Sequence, residues 1–158
     1  MIIPEANTPL LDYEMKRVIE MHSAFITLCD SFALCYKEAE QLINMSEATF
    51  VIWDKDSKGL IDAIQLFSIL CLYSKGRIED KCRFLLNLYD FNQDNQILPL
   101  TLEFMLTMCM QGICKLFNID ILEEYTEEIQ KFIEENYPRE VDIPFEELLK
   151  VYTTIVQS

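Results

Sequence analysis

Glycine and proline are scarce in this 158-residue chain, three and five residues respectively. So few backbone punctuators exclude collagen-like and turn-rich β architectures and favour helix. Histidine occurs once, at position 22, which excludes paired-histidine metal sites and disfavours histidine-based triads; a lone histidine on an apolar stripe is expected to line a helix interface. Basic residues are few: 13 Lys and Arg stand against 27 Asp and Glu, a formal charge of −14. Nucleic acid and anionic membranes both demand clustered basic side chains, so neither is an expected partner. No C-x-x-C pair occurs among Cys29, Cys35, Cys71, Cys82, Cys109 and Cys114. The expected state is reduced, mostly buried thiols in a cytoplasmic compartment. Cys109 and Cys114, five apart on a helix, do not share a face suited to zinc. The start, Met1-Ile2-Ile3-Pro4, has no basic region before an apolar run and no Gly at position 2, so neither a secretory leader nor N-myristoylation is expected. No run is expected to reach membrane-spanning length without interruption. No glycine-rich phosphate cradle or nucleophile elbow appears, and the chain is not expected to be an enzyme.

Half of the chain is apolar, enough to bury a core in one compact domain or two small lobes without staples. Residues 1–11 read as an irregular lead. From Tyr13 onward Val18, Ile19, His22, Phe25, Ile26 and Cys29 recur at helical spacing, and Ala39, Leu42 and Ile43 form a second stripe over 36–45. Thr49 to Trp53 leads into a loop at 54–65. A helix follows through Ile64, Leu66, Phe67, Ile69 and Leu70, then a turn at Ser74–Arg77. The spacing predicts a helix over 78–89 with Cys82, Leu85, Leu86 and Tyr89 inward, and another over 102–117 that is apolar nearly all round. Such a helix is buried or faces a partner. Residues 122–135 set Leu122, Tyr125, Ile129, Phe132 and Ile133 against charged neighbours, and a last helix is expected over 145–156.

Three twelve-residue stretches repeat in register. The clearest is 90–101, where oxygen side chains at Asp90, Asn92 and Asp94 occupy places one, three and five, and Ile97 stands at place eight. That is the front of a calcium loop, but place twelve, normally a bidentate Glu, is Thr101. The stretch 54–65 has Asp54, Asp56, Gly59 at place six and Ile61 at place eight; the stretch 136–147 has Ile143 at place eight and Glu147 at place twelve. Apolar residues flank all three alike: Phe50, Leu86 and Phe132 lie four residues before them, and Leu66, Leu102 and Leu148 directly after.

On these residues the chain resembles the EF-hand superfamily over about 46–156. The loop starts lie 36 and then 46 residues apart, a longer last gap that is similar to neuronal-calcium-sensor, calcineurin-B-like and calaxin-like proteins. The phrase from Ser74 to Asp90 resembles theirs as well. The resemblance implies an all-α fold of tandem helix–loop–helix units in two lobes. One lobe spans residues 1–73, with a cryptic first hand and the 54–65 loop; the other spans 74–158, with the 90–101 and 136–147 loops. A relic of the first hand falls at 27–38, with Leu34 at place eight and Glu38 at place twelve. Cytoplasmic proteins, and in the calaxin-like group ciliary or flagellar axonemes, are the settings the resemblance implies.

Ligand arithmetic argues against tight calcium. In 90–101 the donors are Asp90, Asn92, Asp94, the Gln96 carbonyl and the Thr101 hydroxyl, which predicts millimolar binding or weaker. In 54–65 they are Asp54, Asp56, the Leu60 carbonyl, Asp62 and Gln65, with Lys58 at place five, which predicts less. In 136–147 Pro138 and Val141 remove the front, leaving shape alone. The expected cofactor is none, or weakly bound calcium. The surplus apolar surface of 102–117, at Phe104, Met105, Met108, Met110, Ile113, Leu116 and Phe117, suits a groove for an amphipathic helix. Residues 119–147 carry a net −9, so the expected partner is a basic helical segment of a larger protein.

Overall fold

The computed structural model describes residues 2–150. Among them the chain is mostly helical, with α1 (Met15–Leu28), α2 (Tyr36–Ile43), α3 (Glu47–Trp53), α4 (Ala63–Tyr73), α5 (Ile78–Tyr89), α6 (Pro99–Phe117) and α7 (Glu123–Asn136). Residues 145–150 are helical too; residues 151–156 of the helix expected over 145–156 lie outside the described residues. Two short antiparallel pairs tie the loops together. β1 (Ala33–Leu34) pairs with β2 (Ile61–Asp62), setting Leu34 opposite Ile61. β3 (Gln96–Ile97) pairs with β4 (Ile143–Pro144), setting Ile97 opposite Ile143. All four place-eight residues are buried, so each pair joins two loops back to back over apolar side chains.

Local chemistry explains several helix ends. Ser46 caps α3 by accepting from Thr49 N, and Asp62 caps α4 by accepting from Gln65 N. Glu38 accepts from Cys35 N at the start of α2; this bond, with those from the cysteine thiols, holds the carboxyl below its ordinary range. Asn44 and Asn118 take left-handed conformations that stop α2 and α6. Pro99 starts α6, where its missing N–H costs nothing.

The buried set of α5 is Cys82, Leu85, Leu86 and Tyr89, the face that the periodicity predicts. Tyr89 is fully buried and its hydroxyl shares a 2.7 Å hydrogen bond with Ser68 Oγ on α4. Elsewhere packing departs from the pattern. The lead is not irregular: Glu5–Leu11 is a 3-10 helix that buries Asn7 and Leu10. Asn7 Nδ2 donates to the Leu116 carbonyl at 2.8 Å, and the Thr49 hydroxyl donates to the Ala6 carbonyl. On α1 the buried residues are Met15, Val18, Met21 and Phe25, whereas Ile19 and Ile26 are exposed. Met21 rather than the β-branched pair fills the core because the helix is rotated toward α4.

One apolar core runs through both halves of the sequence, and α4, buried from Ala63 to Cys71, lies at its centre. Gly112 of α6 lies so close to α4 that a Cβ there would stand 2.4 Å from Ile69 Cγ1. The Lys115 ammonium sits 5.8 Å from the centre of the buried Trp53 ring. Lys55 Nζ donates to Asn118 Oδ1 at 2.7 Å. α6 also meets the length and composition of a membrane-crossing helix, with 19 residues and mean hydropathy 1.3. Glu103 and Lys115 interrupt its apolar run, and here its buried side packs on α4.

Candidate functional site

The first loop closes on its own carboxylate. Asp54, at the end of α3, accepts from Lys58 N at 3.1 Å and Gly59 N at 2.8 Å. Ser57 and Gly59 take positive φ to aim those donors. Asp56 and Leu60 are exposed, and Asp62 serves as the α4 cap. Gln65, at place twelve, lies in the first turn of α4. It is buried in the α4–α6 interface, where Nε2 donates to Gln111 Oε1 at 3.2 Å and Oε1 has no partner. Gln65 belongs to the first turn of α4, and residues 63–71 of that helix are all buried, so its side chain is drawn into the interface.

The second loop repeats the arrangement. Asp90 accepts from Asp94 N at 3.3 Å and Asn95 N at 2.9 Å, and Asp94 accepts from Gln96 N at 3.1 Å. Gln93 and Asn95 take positive φ; Asn95, in the glycine place, adopts the left-handed turn as asparagine readily does. Asp90 is only 8% exposed, so its oxygens rest in a nest of backbone N–H groups. Asn92 and Gln96 are exposed and Thr101 is half-buried in the first turn of α6. The structure thus brings Asp90 and Asp94 into one turn and leaves Thr101 on the helix. Among the described residues no three His, Cys, Asp or Glu side chains converge on a metal-sized space. In the third loop Val141 N donates to the Pro138 carbonyl at 3.3 Å, and Phe145 N donates to the Asn95 carbonyl of the second at 3.1 Å.

The residues proposed for partner contact divide. Met105, Met108 and Leu116 are buried, which removes them from any accessible surface and corrects their assignment to one. Phe104 is exposed but lies edge-on to Tyr89, away from the others. Phe117 is half-buried against the core. Met110 and Ile113 instead line an open groove of about 550 Å³ between α6 and α7, with Leu106, Tyr125, Ile129 and Phe132 on its walls. The sequence pattern marked that face of α7 as apolar; the structure buries only Ile133 of it. Among the described residues the remainder of that face stays open. One acid, Glu128, stands among the groove's lining residues, on a helix rich in glutamate.

His22 is half-buried on α1. It lies T-shaped to Phe67 and Phe84, at 5.1 and 5.2 Å between ring centres, and burial holds its imidazole below the usual range. The unfolded chain therefore takes up a proton at higher pH than the folded one. The resulting stability is complete above the unfolded pKa of about 6.5 and is lost as pH falls through it toward the lower folded value. The urea midpoint is expected to fall between neutral pH and mildly acidic pH, and His22→Leu is expected to flatten that part of the profile.

Comparison of the sequence with protein-family models and with curated proteins finds no match.

Proposed function

We propose that this chain is a calmodulin-like EF-hand adaptor or structural subunit, built as two lobes of paired helix–loop–helix units, that grips a basic helical segment of a larger protein largely without calcium. The α6–α7 groove carries the reading. Among the described residues it is open and apolar inside, and Glu128 stands on its α7 wall in a strongly acidic helix, which suits the two faces of a cationic amphipathic helix. The loops support the calcium-independent part. Asp54 and Asp90 each accept two backbone N–H groups, so loop shape is held by the chain itself. Pairing of Leu34 with Ile61 and of Ile97 with Ile143 supports the assignment of two back-to-back loop pairs, the first including 27–38.

The second reading, a low-affinity calcium or magnesium sensor acting through 90–101, draws on Asp90 and Asp94 lying in one turn. One titration separates the two. A fluorescent Leu/Lys amphipathic helical peptide is expected to bind the full chain with equal affinity in calcium and in chelator. Ile113→Asp, on the groove wall, is expected to weaken it at least tenfold, because a charge would be buried against the apolar face of the peptide. Binding that needs calcium favours the sensor; no binding in either condition, or an unaffected Ile113→Asp, removes the groove from the proposal. An axonemal setting is part of the same proposal and rests on the resemblance alone.

A further inference from the structure

A second apolar surface, sharing no lining residue with the α6–α7 groove, lies between α1 and α5. α1 and α5 run side by side, and the hollow between them, about 610 Å³, is walled by Ile19 and Phe84. It shares Asn87 with a smaller hollow that reaches Ile26 and Phe91. Ile19 is 45% exposed, Ile26 62% and Phe91 55%. Ile19 and Ile26 are seven residues apart, two turns along one face of α1. They are the apolar pair that periodicity assigns to the core and that the core does not use.

Charge identifies the occupant. This chain is strongly anionic, and the α6–α7 groove has Glu128 and no basic side chain among its lining residues, so two copies repel one another there. The α1–α5 face is balanced. Lys16 and Arg83 line the hollow together with Glu20 and Asp80, and all four are exposed. Among the described residues Lys16, Arg83 and Asp80 form no ion pair, and Glu20 meets only the exposed Arg17 at 3.4 Å. A patch that carries both signs around an apolar strip is complementary to itself under a two-fold axis, since each residue meets its counterpart's opposite. A basic helix has no preference for such a face over the acidic groove. We propose that the α1–α5 face docks a second copy of this chain, with Lys16 and Arg83 of each copy against Glu20 and Asp80 of the other.

Sedimentation velocity of the full chain from micromolar to sub-millimolar concentration tests this. The wild type is expected to show a concentration-dependent dimer. Lys16→Glu with Arg83→Glu, and separately Glu20→Lys with Asp80→Lys, are each expected to sediment as monomers, and their equimolar mixture to recover the dimer. Ile26→Glu, a change at an exposed position, is expected to give a monomer with unaltered circular dichroism. A wild type that remains monomeric at the highest concentration overturns the proposal. So does a dimer that survives both charge reversals, or reversed variants that fail to pair when mixed.

Discussion

Gly112→Ala is expected to destabilise the protein by about 1–2 kcal/mol, although helix propensity alone argues for a gain of about 1 kcal/mol. The sign follows from distance. Gly112 sits inside α6, where exchanging glycine for alanine normally reduces backbone freedom in the unfolded chain and stabilises the helix. Here the added Cβ would stand 2.4 Å from Ile69 Cγ1 and 2.8 Å from Ile69 Cδ1, with Gln65 Cγ at 3.3 Å. Ile69 is completely buried on α4, and its branched side chain has few rotamers to retreat into. The helices must move apart or the isoleucine must leave its well, and either outweighs the propensity gain. Ile69→Ala alone is expected to cost about 2–5 kcal/mol through the cavity it leaves. Because the two sites share one space, the double variant is expected to be less destabilised than the sum by about 1 kcal/mol or more. Urea unfolding of the four proteins gives the coupling directly. A Gly112→Ala protein more stable than the wild type would show that the α4–α6 contact is loose.

That contact also marks where the amino-acid pattern stops being informative. Periodicity identifies elements whose apolar face has one neighbour. α5 buries Cys82, Leu85, Leu86 and Tyr89 as its spacing predicts. The loops are legible too, because Asp54 and Asp90 lie at the start of turns that need an acceptor for two N–H groups, and because isoleucine recurs at the place that pairs across loops. What is not legible is the choice among several apolar faces. α1 offers Ile19 and Ile26 as readily as Met15 and Met21, and only the direction of approach of α4 decides between them. α6 is apolar on every side, so its sequence does not say that Met105 and Met108 go inward while Met110 lines a groove. Gln65 stands where a ligand would, yet helix burial claims it for Gln111. The 3-10 lead is missed for a different reason: Asn7 is held by carbonyls more than a hundred residues away, and no local signal encodes such a bond. Gly112 is the one sign in α6 that could have revealed the close crossing, since an isolated glycine in a helix usually has a packing reason.

Asp90→Ala is expected to cost about 2–3 kcal/mol, since two hydrogen bonds to a charged acceptor are lost at a buried position. For a chain of this size the melting temperature should drop by roughly 4–10 °C. Asp90 is 8% exposed, so water replaces it poorly, and Asp94 N and Asn95 N are left to find other acceptors. Asn95 then holds φ 59° without the bond that stabilises it. The strain is transmitted, because the Asn95 carbonyl accepts from Phe145 N, and Ile97 pairs with Ile143. Asp54→Ala makes the same two deletions in the first loop, but Asp54 is only partly buried and its donors Lys58 and Gly59 are exposed; water can serve them, and the expected cost is about 1 kcal/mol. Under the adaptor reading the loss from Asp90→Ala is the same in calcium and in chelator, because the carboxylate holds the turn through its own backbone. Were Asp90 chiefly an ion ligand, the wild type would melt higher in millimolar calcium and the variant would not respond. Thermal unfolding of both proteins in the two solutions thus measures whether this carboxylate serves the chain or an ion.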